Sequence, residues 1–401
     1  MASVKRRRLA DGRTVRYDVI YRDPEGRQRN KTFLRRSDAD AFANTVEADK
    51  LRGSFIDPNA GKVTVKAYAE AWLRAQTFDV STRHAVEGRF RRHLYPVLGA
   101  KQLRHVKPST AQAWLRGLVL AESSKRVIFA NVSTLFQAAV NDELIAKNPF
   151  RSASVRTPRP TPRKLVPWSV ERVQAVHEAL PERYRIASVI ASGLGLRQGE
   201  VFGLSPDDID FLGKEVHVVR QLKLIGARPV FAPPKGGKTR TVPLPDTVSV
   251  ELAAHLQRFP AAAVALPWRE LEGESVTVSL IITTAQRTVV NRRYFNERFW
   301  KPALVRVGVI PPLKRGERND RSREHGIHAL RHWYASVLLD AGESIKAVSE
   351  YLGHADAGFT LRTYTHLMPA SHERTRKAVD AAFLGSTGGT ISEISVRSER
   401  R

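Results

Sequence analysis

The chain has 401 residues, too many for one ordinary domain, and its 42% hydrophobic content can fill two or three separate cores. Lys and Arg number 66 against 40 Asp and Glu, a formal charge of +26 with a pI near 10.7, which points to a polyanionic partner, nucleic acid first. Cysteine is absent, which excludes disulfides and thiolate metal sites. No apolar run approaches the ~18 residues of a membrane span, and no apolar stretch follows the basic start MASVKRRRLADG, so neither a membrane anchor nor a secretory signal is expected.

In chain order, residues 1–58 read as a small basic module. TVRYDVIY alternates, with Val15, Tyr17, Val19 and Tyr21 on one face and Arg16 and Asp18 on the other, as in a half-buried strand. Asp11-Gly12 and Pro24-Glu25-Gly26 are turn signals on either side, and RNKTF supplies a third strand. Ser37 is placed to cap a helix that Gly53 would end. Residues 1–36 hold twelve Lys and Arg against four Asp and Glu, which suits a sheet laid on DNA.

Residues 63–150 read as helical. Thr64 opens TVKAYAEAWLRA; STRHAVEGRFRRHLYPVLG follows, punctuated by Pro96 and Gly99, then STAQAWLRGLVL and SSKRVIFANVSTLFQAAVNDELI. Four helices on short loops predict an all-α bundle closed by Asn148-Pro149. Residues 151–164, RSASVRTPRPTPRK, are a Pro- and Arg-rich linker. Residues 165–384 form the largest part, mainly helical (α+β), with a small antiparallel sheet predicted around EVHVVRQLKL and RPVFAPPKGGKTRTVPL. Residues 385–401 are a Gly- and Ser-rich tail. The fold class is therefore multidomain: a β-sheet-plus-helix module, a helical bundle and a mainly α domain.

Three chemical motifs fail on inspection. GGKT at 236–239 imitates the end of a phosphate-binding loop, but the required first glycine is Ala232 and a strand-like RTVPL follows instead of a helix. His328 and His332 lie four residues apart, as metal ligands can, yet the glutamate of a zinc hydrolase would fall at Ala329. Asp207, Asp208 and Asp210 could serve a two-metal nuclease, but they follow Leu204-Ser205-Pro206 and read as a loop.

Cleaving a phosphodiester without metal needs cations on the non-bridging oxygens, a proton for the leaving oxygen and a nucleophile in line. Arginine meets phosphate bidentately, lysine or histidine can donate the proton, and serine, tyrosine or water can attack. Candidates occur in sequence: Arg197 in SGLGLRQGE, Lys235 in PPKGGKTRTVPL, His328 and Arg331 in HALRH, and His354 and Tyr364 in LGHADAGFTLRTYTH. Each alone has a dull alternative as a helix cap, a solvated turn lysine or a core tyrosine.

Taken in order, the set resembles the tyrosine recombinase (phage integrase) family, in its long form with an arm-site-binding N-terminal domain. LGLRQGE is similar to the first family box, HALRH to HxLRH, and LGHADAGFTLRTYTH to LGHxxxxxTxxxYxH; AYAEAWL, PVLG and NPF resemble the helical core-site domain. The resemblance implies that Tyr364 attacks phosphorus to form a 3′-phosphotyrosyl link, that Arg197 and Arg331 hold the non-bridging oxygens, and that Lys235, with Lys238 as its rival, protonates the leaving oxygen. His328 and His354 would assist at the phosphate, while Glu200, His332 and Gly353 would be structural. It further implies double-stranded attachment sites, a homotetramer on DNA, a DNA-bending host factor, an excisionase, a bacterial cytoplasmic setting, and no cofactor, metal or ATP. A type IB topoisomerase, a catalytically idle DNA-binding protein and a metal-dependent nuclease are the competing readings.

Overall fold

Alternation of apolar and polar residues builds the first element of the chain that has a core. The computed structural model describes residues 2–10, 14–22, 26–51, 60–161, 166–313, 323–354 and 356–364, with Arg376 and Val379. The expected turns at Asp11-Gly12 and Pro24-Glu25, the helix stop at Gly53 and the tail from Gly385 lie outside these residues. Contacts divide the chain into two units, Met1–Pro162 and Arg163–Arg401.

In the first unit, β1 (Ser3–Arg8), β2 (Val15–Arg22) and β3 (Gln28–Phe33) form an antiparallel sheet with β2 in the centre. Val19 and Tyr21 are fully buried against Ala39, Ala43 and Val46 of α1 (Arg36–Leu51). The helix starts one residue before the expected Ser37 cap, because the Arg35 carbonyl already accepts from the Ala39 N–H. The opposite face differs from simple solvated alternation. Asp18 is buried there, held by Arg7 at 2.9 Å and by the Thr32 hydroxyl at 2.6 Å from the flanking strands. Cross-strand register puts Lys5, Arg7, Arg16, Arg22, Asn30 and Thr32 on this same face, so it is polar and strongly basic.

A helical bundle follows: α2 (Val65–Ala75), α3 (Val80–Arg89), α4 (Tyr95–Leu98), α5 (Pro108–Arg116) and α6 (Glu122–Asn141). Thr64 caps α2 through its hydroxyl, as expected. Between α3 and α4 the chain continues through a π turn, Phe90–Leu94. Pro96 therefore does not break the run. It has no N–H to give a carbonyl four residues back, and the wider turn re-routes the bonding ahead of it. Phe150, from NPF, closes the core against Trp114, Phe129 and Phe136.

The second unit begins with α7 (Val170–Ala179), α8 (Glu182–Gly193) and α9 (Gln198–Val201). Strands β4 (Ile209–Asp210), β5 (Glu215–Val218) and β8 (Arg240–Pro243) form one antiparallel sheet, and the hairpin β6 (Gln221–Ile225) and β7 (Arg228–Ala232) is inserted between β5 and β8. After α10 (Asp246–Arg258), a second hairpin, β9 (Ala262–Pro267) and β10 (Ser275–Leu280), appears that the sequence reading left unassigned. Then come α11 (Arg292–Phe295), a π turn at Asn296–Trp300 and α12 (Lys301–Arg306), with Pro302 repeating the arrangement at Pro96. The chain reaches the remaining helices, α13 (His328–Asp340), α14 (Ile345–Leu352) and α15 (Ala357–Tyr364). The core of this unit runs from Trp168 to Tyr364 and includes the parallel-stacked pair Trp168 and Trp300. Among the described residues no helix is long and apolar enough to cross a membrane.

Candidate active site

The site is organised by the last turn of α14. A helix leaves its final carbonyls without intrahelical partners, and its C-terminal end is partially negative. Here three consecutive carbonyls each accept from an arginine. Tyr351 O receives Arg240 Nε at 2.7 Å, Leu352 O receives Arg331 Nη2, and Gly353 O receives Arg197 Nη2 at 2.8 Å. Gly353 caps α14 in the left-handed region at φ 59°, and an added Cβ would lie 3.1 Å from the Arg240 side chain.

Each arginine comes from a different element. Arg197 is the N-cap of α9, and Glu200 three residues on accepts from its backbone N–H at 2.8 Å and its Nη1 at 2.9 Å. Arg331 lies in the first turn of α13, 1% exposed, with Nη1 on the carbonyl of Gly195 at 2.7 Å. Gly195 is itself left-handed at φ 63° and packs where a Cβ would strike the Tyr334 ring. Arg240, from β8, clamps Glu200 with both Nη atoms at 3.1 and 2.7 Å. Burial alone would raise the Glu200 carboxyl; the Arg240 hydrogen bonds and charge, with Arg197, overcome this and hold it down at about 2. Burial and the charge of Arg197 push Arg331 down to about 9, still cationic near neutrality.

Tyr364 ends α15 with 1% exposure, and its hydroxyl meets His332 Nδ1 at 2.6 Å. Burial pushes the phenol up to about 12, against the pull of Arg331. Burial and Arg331 push His332 down to about 4. His354 bonds the Thr360 hydroxyl through Nδ1 at 2.7 Å and is driven to about 3 by burial, then by Arg331 and Arg197. Both imidazoles are therefore neutral at pH 7.

Four of the residues singled out in the sequence, Arg197, Arg331, His354 and Tyr364, thus meet around one helix end. His328 does not join them; it is exposed, its ring edge-on to His332 at 4.7 Å between centroids. Lys235 and its rival Lys238 sit on the exposed turn between β7 and β8, where Gly236 and Gly237 take φ of 85° and 74°. Neither lysine has a hydrogen bond or ion pair to a described residue. Two participants escaped the sequence reading. His332 was assigned a structural role yet touches the tyrosine hydroxyl. Arg240 went unremarked, although it shares the inward phase of Val242 in RTVP, a charged residue where an apolar one would be routine. The acidic cluster is consumed locally: Asp208 pairs with Arg220 at 2.5 Å, and Asp210 caps the Leu212 and Gly213 N–H groups.

The family model described as the phage integrase family matches residues 168–371, the stretch that carries all of this geometry. The chain belongs to the phage integrase family. It is a tyrosine site-specific recombinase of that family. It is 27% identical over 394 residues to a XerC-like tyrosine recombinase of Caldanaerobacter subterraneus, covering 91% of this chain and 95% of the relative. It is 26% identical to the integrase of Mycobacterium phage L5, over 74% of this chain and 73% of that one. The fold is shared with the Tn1549 transposon integrase in complex with a circular intermediate DNA (TM-score 0.62, 20% identity, 78% of this chain and 97% of that one). It is shared too with a lambda integrase tetramer bound to a Holliday junction (TM-score 0.55, 16% identity, 88% and 96%).

Proposed function

We propose that this integrase breaks and rejoins DNA through Tyr364, with Arg197 and Arg331 holding the scissile phosphate and His354 completing the cradle. The observation that carries the reading is the convergence of Arg240, Arg331 and Arg197 on the carbonyls of Tyr351, Leu352 and the cap Gly353 at the end of α14, one residue from His354 and with Arg331 beside Tyr364. Cations so arranged are fixed before any substrate arrives, which is how electrostatic stabilisation of a developing charge avoids a reorganisation cost. Tyr364 Oη attacks phosphorus, the bond to the 5′ oxygen breaks, and a 3′-phosphotyrosyl ester keeps the bond energy for religation. Lys235 protonates the leaving oxygen, reaching the phosphate from its exposed two-glycine turn, and His328 contacts the phosphate from the rim. No metal, cofactor or ATP enters these steps.

The remaining assignments follow the same reading. Residues 1–58 bind arm-type sites through the basic sheet face carrying Lys5, Arg7, Arg16 and Arg22; residues 63–150 bind the core site; residues 165–384 are catalytic. The partner is double-stranded DNA bearing attachment sites. The lambda relative is a tetramer on a Holliday junction, and a homotetramer on paired sites is assigned here, with a host DNA-bending factor and an excisionase as accessory proteins in a bacterial cytoplasm.

The test is covalent trapping. A nicked suicide duplex carrying the DNA that flanks the integrase gene is incubated with protein in EDTA, and an SDS-resistant adduct is sought. Wild type should form it and Tyr364→Phe should not. An adduct with the phenylalanine variant, or one that requires metal, would overturn the reading.

A further inference from the structure

We infer that His332 is the base that removes the phenolic proton of Tyr364, a role that rests on the reading of Tyr364 as the nucleophile. Of the described residues, His332 alone makes a hydrogen bond to the Tyr364 hydroxyl, through Nδ1 at 2.6 Å. The other candidates are committed elsewhere. His354 Nδ1 is occupied by Thr360, and the Nη atoms of Arg331 donate to the Gly195 and Leu352 carbonyls. His328 lies one helical turn from His332, ring against ring, on the exposed side.

This order suits proton removal. A base must lie within hydrogen-bond reach of the proton it takes, and His332 does. With its hydrogen on Nε2, the neutral ring presents the Nδ1 lone pair to Oη. The groups that face it are Arg331 and His328 on its own helix, Tyr364 on α15 and His354 before α15. Burial and the Arg331 charge keep the ring unprotonated in the free protein. A phosphodiester anion lodged among the arginines offsets that charge and raises the basicity of the ring when it is needed.

The step balances. The Oη–H bond breaks and the proton passes to His332 Nδ1 as the Oη–P bond forms. The P–O5′ bond breaks, and the departing oxygen takes a proton from the general acid. In religation the imidazolium returns its proton to Oη as the phosphotyrosine bond breaks.

The experiment compares wild type, His332→Gln, His332→Ala, Lys235→Ala and Tyr364→Phe in single-turnover cleavage of the suicide duplex. A matched duplex has sulfur in place of the bridging 5′ oxygen, because a thiolate leaves without a proton. Loss of a base slows cleavage by ~10²–10⁴-fold. Both His332 variants should show that loss on both duplexes, should bind DNA as wild type does, and should recover as pH rises toward 10 and hydroxide replaces the base. Lys235→Ala should recover on the sulfur duplex instead. Three results would overturn the inference: wild-type rates for His332→Gln, which keeps a hydrogen bond but cannot carry the proton; recovery of the His332 variants on the sulfur duplex; or a loss that pH does not relieve. An adduct with Tyr364→Phe would instead sink the nucleophile assignment, so the two failures are separable.

Discussion

Glu200 sets the character of the site at the residue scale. It is 1% exposed, and on its own a carboxylate so deep would be protonated. Arg240 and Arg197 keep it ionised, and in return it is the counter-charge that lets two guanidiniums sit side by side without DNA. Its carboxyl is lowered from 4.5 to about 2 on folding. The unfolded chain therefore binds the proton more readily, and the contribution to stability is present above pH ~4.5 and lost as pH falls through ~2. The size is on the order of 3 kcal/mol. Glu200→Gln should lower stability at pH 7 and flatten its decline between pH 4.5 and 2, as read by urea unfolding at a series of pH values. His332 and His354 titrate in a different window, because their lowered values cost stability progressively from pH ~6.5 downward.

At the scale of elements, α14 is more informative than its eight residues suggest. Its last carbonyls are where β8, the Arg197 cap and the first turn of α13 are tied together, and Gly353 makes that junction possible. Gly353→Ala would put a side chain in the left-handed region, costing about 1–2 kcal/mol, and would press on Arg240. Gly308→Ala pays the same backbone cost at φ 70° but meets nothing within 4 Å. Gly353→Ala should lose at least as much stability as Gly308→Ala in thermal melts, and only Gly353→Ala should slow adduct formation. Equal rates would show that the junction does not support catalysis.

Part of this was legible in the sequence. LGLRQGE, HALRH and LGHADAGFTLRTYTH stand out through their ordered resemblance to the boxes of the family, since Arg197, Lys235 or Tyr364 taken singly could equally be a helix cap, a solvated turn lysine or a core tyrosine. Helix starts at Thr64 and Arg197 were also readable, because capping is local chemistry. The β9–β10 hairpin was not, since AAVALP is alanine-rich and becomes a strand only by pairing with SVTVSL and docking beside β7. His332 and Arg240 were opaque for a related reason: their partners, Tyr364, Glu200 and the Tyr351 carbonyl, lie 32, 40 and 111 residues away.

At the scale of the whole molecule, the described residues hold three hydrophobic cores that share no member. The one beneath the N-terminal sheet has five buried residues, Val19, Tyr21, Ala39, Ala43 and Val46, whereas the one in the second unit extends from Trp168 to Tyr364. Separate cores need not melt together. Unfolding enthalpy scales with size at roughly 0.7 kcal/mol per residue near 60 °C, so the small module should carry only about a quarter of the heat of the large one. Scanning calorimetry of the intact chain should therefore show a broad, asymmetric endotherm whose integrated heat exceeds its van't Hoff value. A single sharp peak with the two heats equal would mean that the cores are thermodynamically one. Otherwise heat dismantles this enzyme in stages, and there is a band of temperature in which one core has already melted while another still stands.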